Sequence, residues 1–467
     1  MRKSIFLFIV ILITQNMNAQ DISGQWTGLL KIQNLELRLV FNISKSNDSY
    51  KVTMDSPDQG AKDIPVDKVA VDNEQVRFEI TPAQIVYDGK IVNPGIIEGT
   101  FQQSGQSFHM ELTKAQVKSV PSVNSDSQLP VPPYPYRTEE VKFVNKKAKI
   151  ELAGTLTIPQ QAGIYPAVIL ISGSGPQNRD EELLGHKPFL VLADHLTKNG
   201  FAVLRYDDRG TAASGGDFAT STSFDFAADA QAAVEYLATR KEINSKKIGL
   251  MGHSEGGIIA PMVAGKSKKV AFIVLLAGTG IRGDQLLLMQ QEAIGKVSGM
   301  SEAALAEAKK LNQSIFEMVI STDNDDELKK NISKLISDEV SQLSPEELPP
   351  GVSPEQIIQQ TVDQLTSPWM YQFIRYDPSL NLNKVKCPVL AINGSKDLQV
   401  PAKVNLAAIE KELLKGGNKK VTVKELPGLN HLFQECTTGS PEEYALIKQT
   451  FSPVALAEIT NWLKKIN

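Results

Sequence analysis

The sequence predicts an α/β fold with a helical insertion, preceded by a small all-β domain, a barrel or a sandwich. Three observations carry this. Residues 21–118 alternate apolar and polar side chains with little helical periodicity. Residues 119–137 are rich in Pro and Ser and read as an extended linker. From residue 138 onward, short continuous apolar runs alternate with helical stretches, the pattern of a mainly parallel sheet covered on both faces. The chain has 467 residues, 42% hydrophobic and 22% charged, which excludes a mainly disordered or fibrous protein. The length suits roughly two to four structural units.

Residues 1–19 read as an export signal. Arg2 and Lys3 precede an apolar run from Ile5 to Ile13, and Ala19 offers a small residue for cleavage. The run is far short of the about 20 residues that span a bilayer. No later stretch reaches that length, so a soluble mature protein in the periplasm or outside the cell is expected, with no membrane span.

Within 21–118 the clearest strand is Leu35–Ile43. Leu35, Leu37, Leu39, Phe41 and Ile43 share one face, at the period of two of a half-buried strand. Tyr50, Val52 and Met54 repeat the pattern, as do Val76, Phe78 and Ile80, and Phe108, Met110 and Leu112. Asp88-Gly89 has the composition of a hairpin turn. Trp26 is expected in the core, and His109, opposite Phe108 and Met110, on the solvent face.

The second domain, 138–467, opens with an alternating strand through Ile150, Leu152, Gly154, Leu156 and Ile158. Parallel strands follow at Ala167–Ile171, Phe201–Leu204, Ile248–Met251, Val270–Leu276, Val389–Ile392 and Val421–Leu426. Residues 281–375 contain no convincing strand and read as a helical cap over the carboxyl edge of the sheet, where ligands of such folds bind. The acidic run from Asp323 to Glu327 is expected to be a solvated helix start.

The chemistry concentrates at Gly252-His253-Ser254-Glu255-Gly256. This G-x-S-x-G sits between a strand and a helix, where a tight turn thrusts the serine outward. A serine hydroxyl needs a base to act as a nucleophile. Asp397 and His431 each follow their own strand, in the chain order acid then base. His431 is the only histidine after Ser254; the others are His109, His186, His195 and His253. His431 would accept the Ser254 proton, and Asp397 would fix its tautomer. An oxyanion hole would use the backbone N–H of Glu255 and that of Ser174, in the loop Ser172-Gly-Ser-Gly-Pro176. His253 and His186 are read as structural. Arg179 and Asp180 are expected to brace the oxyanion loop, and Arg209 to pair structurally.

Three segments carry a resemblance. They are Ser172-Gly-Ser-Gly-Pro-Gln-Asn-Arg-Asp-Glu181, Leu204-Arg-Tyr-Asp-Asp-Arg-Gly210 and Gly252-His-Ser-Glu-Gly-Gly257. With the Asp397/His431 pair, residues 138–467 resemble secreted bacterial α/β-hydrolases of the EstD-type esterase and serine-aminopeptidase-like family. The resemblance implies the α/β-hydrolase fold and a serine carboxylesterase using Ser254, Asp397 and His431 on short acyl esters. One position departs: family members read R-G-x-G-x-S-x-G, and Ala212 stands at the second glycine.

Other readings remain open. A peptidase or acyl thioesterase would use the same triad. A ligand-binding protein could retain the hydrolase scaffold without catalysis, although an intact triad argues against it. The formal charge of -4 gives no electrostatic case for nucleic acid. No metal-ligand cluster or dinucleotide fingerprint is present, so no cofactor is expected. Cys387 begins its strand and Cys436 follows the His431 loop, at opposite ends of the sheet. They are expected as two free thiols.

Overall fold

The computed structural model describes residues 15–16, 22, 24–32, 35–46, 49–57, 61–72, 75–83, 85–93, 95–103, 106–114, 128–343 and 353–466. Most of the leader and linker segments lie outside the described residues. The chain divides into two compact units, each described by itself.

The first unit contains one antiparallel sheet. Its strands are β1 (Gln15–Asn16), β2 (Gly24–Ile32), β3 (Leu35–Ser46), β4 (Ser49–Ser56), β5 (Ala61–Pro65), β6 (Lys68–Asp72), β7 (Gln75–Ile80), β8 (Ile85–Asn93), β9 (Ile96–Gln103) and β10 (Gln106–Lys114). The order is β1-β7-β8-β9-β10-β2-β3-β4-β5, with β6 also on β7. It is a single half-barrel sheet rather than a two-sheet sandwich. The expected inward faces are buried at Leu37, Leu39, Phe41 and Ile43, at Tyr50, Val52 and Met54, and at Val76, Phe78 and Ile80. Trp26 is 1% exposed and donates its indole N–H to the Ile22 carbonyl at 2.7 Å. His109 is exposed, as its face requires.

Asp88-Gly89 is not a turn. It lies inside β8, paired with Thr100 and Gly99 of β9. The reason is Tyr87, whose ring lies over the facing glycines. A Cβ on Gly89 would come within 2.7 Å of Tyr87 Cε1, and one on Gly99 within 2.7 Å of its hydroxyl. Tyr87 is fully buried, and its hydroxyl lies 3.0 Å from both the Ile97 and Met110 carbonyls. The glycines make room for an aromatic core residue, and β8 runs on to Asn93.

The second unit holds the sheet β11 (Tyr136–Asn145), β12 (Ile150–Pro159), β13 (Tyr165–Ile171), β14 (Ala202–Tyr206), β15 (Ile243–His253), β16 (Val270–Leu276), β17 (Val389–Gly394) and β18 (Val421–Leu426). The order is β11-β12-β14-β13-β15-β16-β17-β18. β11, β12 and β14 pair antiparallel, and the pairs from β14 through β13 to β18 are parallel. Helices α1 (Pro188–Lys198), α2 (Ser223–Leu237) and α3 (Gly256–Ala264) alternate with the strands.

The continuous apolar runs are explained by cover on both faces. In β13, Ala167, Ile169 and Ile171 face the core shared with α2 and α3. Val168 and Leu170 face the other core, with α1. This is the α/β-hydrolase fold the sequence predicts. The last two helices also divide between the faces: α10 (Ala402–Lys415) joins α2 and α3, and α11 (Pro453–Ile466) joins α1.

Among its described residues the insertion between β16 and β17 holds helices joined by short loops and no strand. It holds α4 (Gly283–Val297), α5 (Glu302–Ser321), α6 (Asp325–Val340), α7 (Pro354–Leu365), α8 (Pro368–Arg375) and α9 (Ser379–Leu382). α4 and α8 pack on α3 through Leu286, Phe373 and Tyr376 against Ile258 and Met262. α6 and α7 fall outside this compact unit. The acidic run starts α6: Asn324 caps it, accepting from the Glu327 N–H at 2.9 Å, and Asp325 and Asp326 lie in its first turn. Carboxylates there complement the positive end of the helix.

Candidate active site

Ser254 stands between β15 and α3. Its φ is +50°, in the left-handed region, and its N–H donates to the Leu276 carbonyl of β16 at 2.8 Å. The flanking glycines permit the bend. A Cβ on Gly252 would lie 1.9 Å from the Gly256 carbonyl oxygen, and one on Gly256 would lie 2.2 Å from that of Ile171. No side chain fits at either position, so the turn imposes its glycines.

Asp397 and His431 meet as the order of strands requires. His431 Nδ1 donates to Asp397 Oδ2 at 2.8 Å, and both residues are buried. Asp397 Oδ1 accepts from the N–H groups of Gln399 and Val400, each at 2.8 Å. One oxygen is thus anchored to the loop and the other is left for the imidazole. Asn430 fixes the turn around His431 by accepting from the N–H groups of Leu432 and Gln434. The two loops touch where a Cβ on Gly394 would come within 2.1 Å of the Leu429 carbonyl oxygen. The hydrogen bonds that His431 makes among the described residues go to Asp397 and His253. A bond to Ser254 is not among them, and contacts of this kind commonly tighten only around substrate.

The loop after β13 runs past the nucleophile. A Cβ on Gly173 would lie 3.2 Å from Ser254 Cβ. The Gly173 N–H donates to Glu181 Oε1 at 2.7 Å, so the next N–H along, that of Ser174, is the loop's oxyanion candidate. Gly175 takes φ +95° and turns the chain. The loop is braced from beneath. Ser172 Oγ donates to Asp208 Oδ1 at 2.7 Å, and the Gln177 N–H donates to Asp208 Oδ2 at 3.0 Å. Arg179 holds Asp207 through Nε and a terminal nitrogen, and also contacts Glu140 and Thr155. Asp180 pairs with Arg205. Arg209 pairs with buried Asp229 at 2.6 Å. Burial holds the Asp208 carboxyl well above the usual carboxylate range.

Three side chains here are more than scaffold, and their sequence signal was membership of the quoted motifs. Glu255 is 3% exposed. Its Oε1 accepts from Ser223 Oγ at 2.5 Å and from the Trp369 indole N–H of α8 at 2.8 Å. Burial raises its carboxyl pKa, against the downward pull of hydrogen bonds from Ser223, Trp369 and Ser174. His253 Nδ1 lies 3.0 Å from Glu181 Oε1, and Nε2 lies 3.0 Å from the His431 carbonyl oxygen. Burial lowers the His253 pKa, but the Glu181 carboxylate, the His431 carbonyl and Asp397 together outweigh it and the net shift is upward. Glu181 itself is buried at φ +51°.

The remaining residues take structural positions. His186 is buried between the Thr450 hydroxyl and the Tyr444 carbonyl, and His195 meets Thr460. Cys387 and Cys436 are free thiols, and burial pushes Cys387 up to about 11. Among the described residues no cluster of His, Cys, Asp or Glu could hold a metal, and no helix is long and apolar enough to cross a membrane.

Comparison with known proteins follows the same lines. Esterase EstD of Thermotoga maritima is 26% identical over 319 residues, covering 67% of this chain and 66% of that protein. The chain thus spans just under two thirds of that relative. An uncharacterised 31.7 kDa protein of Escherichia coli is 24% identical over 259 residues, 55% of this chain and 81% of that one. The α/β hydrolase GrgF from Penicillium sp. sh18 superposes with a TM-score of 0.44 at 16% identity, covering 70% of this chain and 98% of that chain. The Pyrococcus furiosus esterase Pf2001 gives 0.42 at 16%, covering 71% and 93%. A family model, X-Pro dipeptidyl-peptidase (S15 family), matches residues 133–411. With its strand order and helical layers, this chain has the α/β-hydrolase fold and belongs to the X-Pro dipeptidyl-peptidase (S15) family.

Proposed function

We propose that the protein is an exported serine carboxylesterase that cleaves short acyl esters through an acyl-enzyme on Ser254. The observation that carries this reading is Ser254 on its left-handed turn, with the buried Asp397–His431 pair in the loops of neighbouring strands. Asp397 accepts the Nδ1 proton of His431, which leaves Nε2 to take the proton from Ser254 Oγ. Oγ attacks the ester carbonyl carbon, and the carbonyl oxygen becomes an oxyanion. The backbone N–H groups of Ser174 and Glu255 receive it. As the tetrahedral intermediate collapses, His431 returns the proton to the leaving alcohol. Water, deprotonated by the same nitrogen, then releases the acid. The basic and apolar leader supports export.

A second reading, a dipeptidyl-peptidase on the same triad, is favoured by the matching family. Such an enzyme must hold a substrate ammonium with a carboxylate. Glu255, the carboxyl beside the nucleophile, is a poor candidate. It is buried, shifted toward its neutral form and already accepts from Ser223 and Trp369. That carboxyl is therefore not free to hold an ammonium.

The deciding experiment is hydrolysis of chromogenic esters from acetate to laurate, beside an X-Pro anilide, by the mature protein and Ser254→Ala. The expected outcome is rapid short-ester turnover, with kcat lost on the order of 10⁶-fold in the variant. Anilide cleavage at comparable efficiency would select the peptidase. Turnover that survives Ser254→Ala would sink the triad.

A further inference from the structure

Glu181 Oε1 accepts two hydrogen bonds, from the Gly173 N–H of the oxyanion loop and from His253 Nδ1. On its other side His253 Nε2 meets the backbone carbonyl of His431. A carboxylate and a carbonyl are both acceptors, so a ring that serves both must carry protons on both nitrogens. We propose that His253 is an imidazolium at neutral pH which, with Glu181, clamps the oxyanion loop to the loop of the catalytic base. Both are positioning residues, and the proposal rests on the reading of Ser254, Asp397 and His431 as the triad.

The geometry is that of a built device. The chain of contacts runs from the loop after β13, through the end of β15, to the loop after β18, and so joins the oxyanion hole to the base. The His253 and His431 rings lie with centroids 4.8 Å apart. The side chains of His253 and Glu181 are 8% and 7% exposed. Glu181 holds this place from a left-handed backbone, a conformation that a non-glycine residue adopts only at a cost. A glycine would sit there with less strain but would bring no carboxylate.

Several titratable groups bear on His253. Glu181 faces it from the oxyanion loop, Asp397 and His431 from the loops after β17 and β18, and Glu255 follows two residues later on its own turn. Asp208 stands behind Glu181. The clamp holds while the imidazolium keeps its second proton. As pH rises through the elevated pKa of His253 that proton leaves, and either the contact to Glu181 or the one to the His431 carbonyl is lost. The base loop is then free to shift. A misplacement of about 1 Å at the reacting atoms can cost about 10²-fold in rate.

The test uses the full mature chain and a short chromogenic ester. Glu181→Gln keeps an acceptor for the Gly173 N–H and removes only the charge that supports the imidazolium. It should lower kcat by about 10²-fold with little change in KM, and bring the alkaline fall of kcat to lower pH. Glu181→Asp, which retains a carboxylate, should recover part of the loss. Nitrogen-15 NMR of the wild-type imidazoles should show His253 protonated at both nitrogens at neutral pH. A folded Glu181→Gln with unchanged kcat and alkaline limb overturns the clamp, as does a neutral His253 in the wild type. If Glu181→Gln does not fold, the wild-type spectrum alone decides. Ser254→Ala separates the two ideas. Turnover that survives it removes the triad, whereas its loss beside an unaffected Glu181→Gln removes only the clamp.

Discussion

Ala212 shows how a left-handed turn can hold a side chain. It stands at the second glycine of the R-G-x-G-x-S-x-G pattern that the sequence resembles, and its φ is +47°. The backbone has kept the left-handed turn and accepted a Cβ within it. The turn is held from outside: the Ser214 hydroxyl donates to the Asp207 carbonyl at 2.7 Å, and the Gly210 N–H donates to the Gly215 carbonyl at 3.1 Å. Ala212 is exposed, so no packing opposes a change. Ala212→Gly should therefore raise stability, by up to about 1 kcal/mol, since relief of strain exceeds the added freedom of the unfolded chain. Urea denaturation measures this directly, and a fall in stability would contradict the assigned turn. Glu181 and Ser254 carry the same strain for a different reason, because their side chains are placed where the chemistry is expected.

At the scale of elements, β8 and β9 show why local composition misleads. Asp-Gly signals a hairpin when nothing else competes for the glycine. Here Tyr87 does compete, and it is worth more to the half-barrel as a buried aromatic than Gly89 is as a turn. Its ring neighbours Phe41 and Phe78 at 5.9 and 6.0 Å. Its hydroxyl contacts two strand carbonyls, and burial raises its pKa above the ordinary phenol value. Tyr87→Phe keeps the ring and removes the donor. It should destabilise the domain by about 1–3 kcal/mol, the range for leaving a buried polar group without its partner. Thermal or denaturant unfolding of the full chain would register the change; no loss would mean that water replaces the hydroxyl. The interior of this sheet is filled by Trp26, Phe41, Phe78, Tyr87 and Phe101, so its core serves packing.

For the whole molecule, buried carboxyls couple stability to pH. Burial raises the folded-state pKa of Glu255 above that of the unfolded chain. The folded state then binds more protons than the unfolded state between those two values. Stability is present in full below the unfolded pKa and falls as pH rises through the folded one, by about 1.4 kcal/mol for each unit of separation. Glu255→Gln keeps an oxygen for Ser223 and Trp369 and removes the charge. Relative to the wild type, it should be more stable at neutral pH than at mildly acidic pH. Parallel denaturation curves at the two pH values would show it. Equal differences at both would mean that the carboxyl is not shifted in solution.

The sequence by itself determined the architecture of the second domain and the composition of its candidate site. Strands buried on both faces must be continuously apolar, and a strand-to-helix turn as tight as that at Ser254 admits only glycine at positions 252 and 256. These constraints are local, so they are written in adjacent residues and can be read there. The order of Ser254, Asp397 and His431 was legible for the same reason, since each follows its own strand. The tertiary structure alone decided the partners of His253, Glu181, Glu255 and Trp369. Trp369 lies 114 residues from Glu255, and His431 lies 178 residues from His253. Nothing in the local chain specifies such pairs. They come into being when the carboxyl ends of several strands and helix α8 of the insertion are brought together. There, exclusion of water makes each buried donor and acceptor find its counterpart.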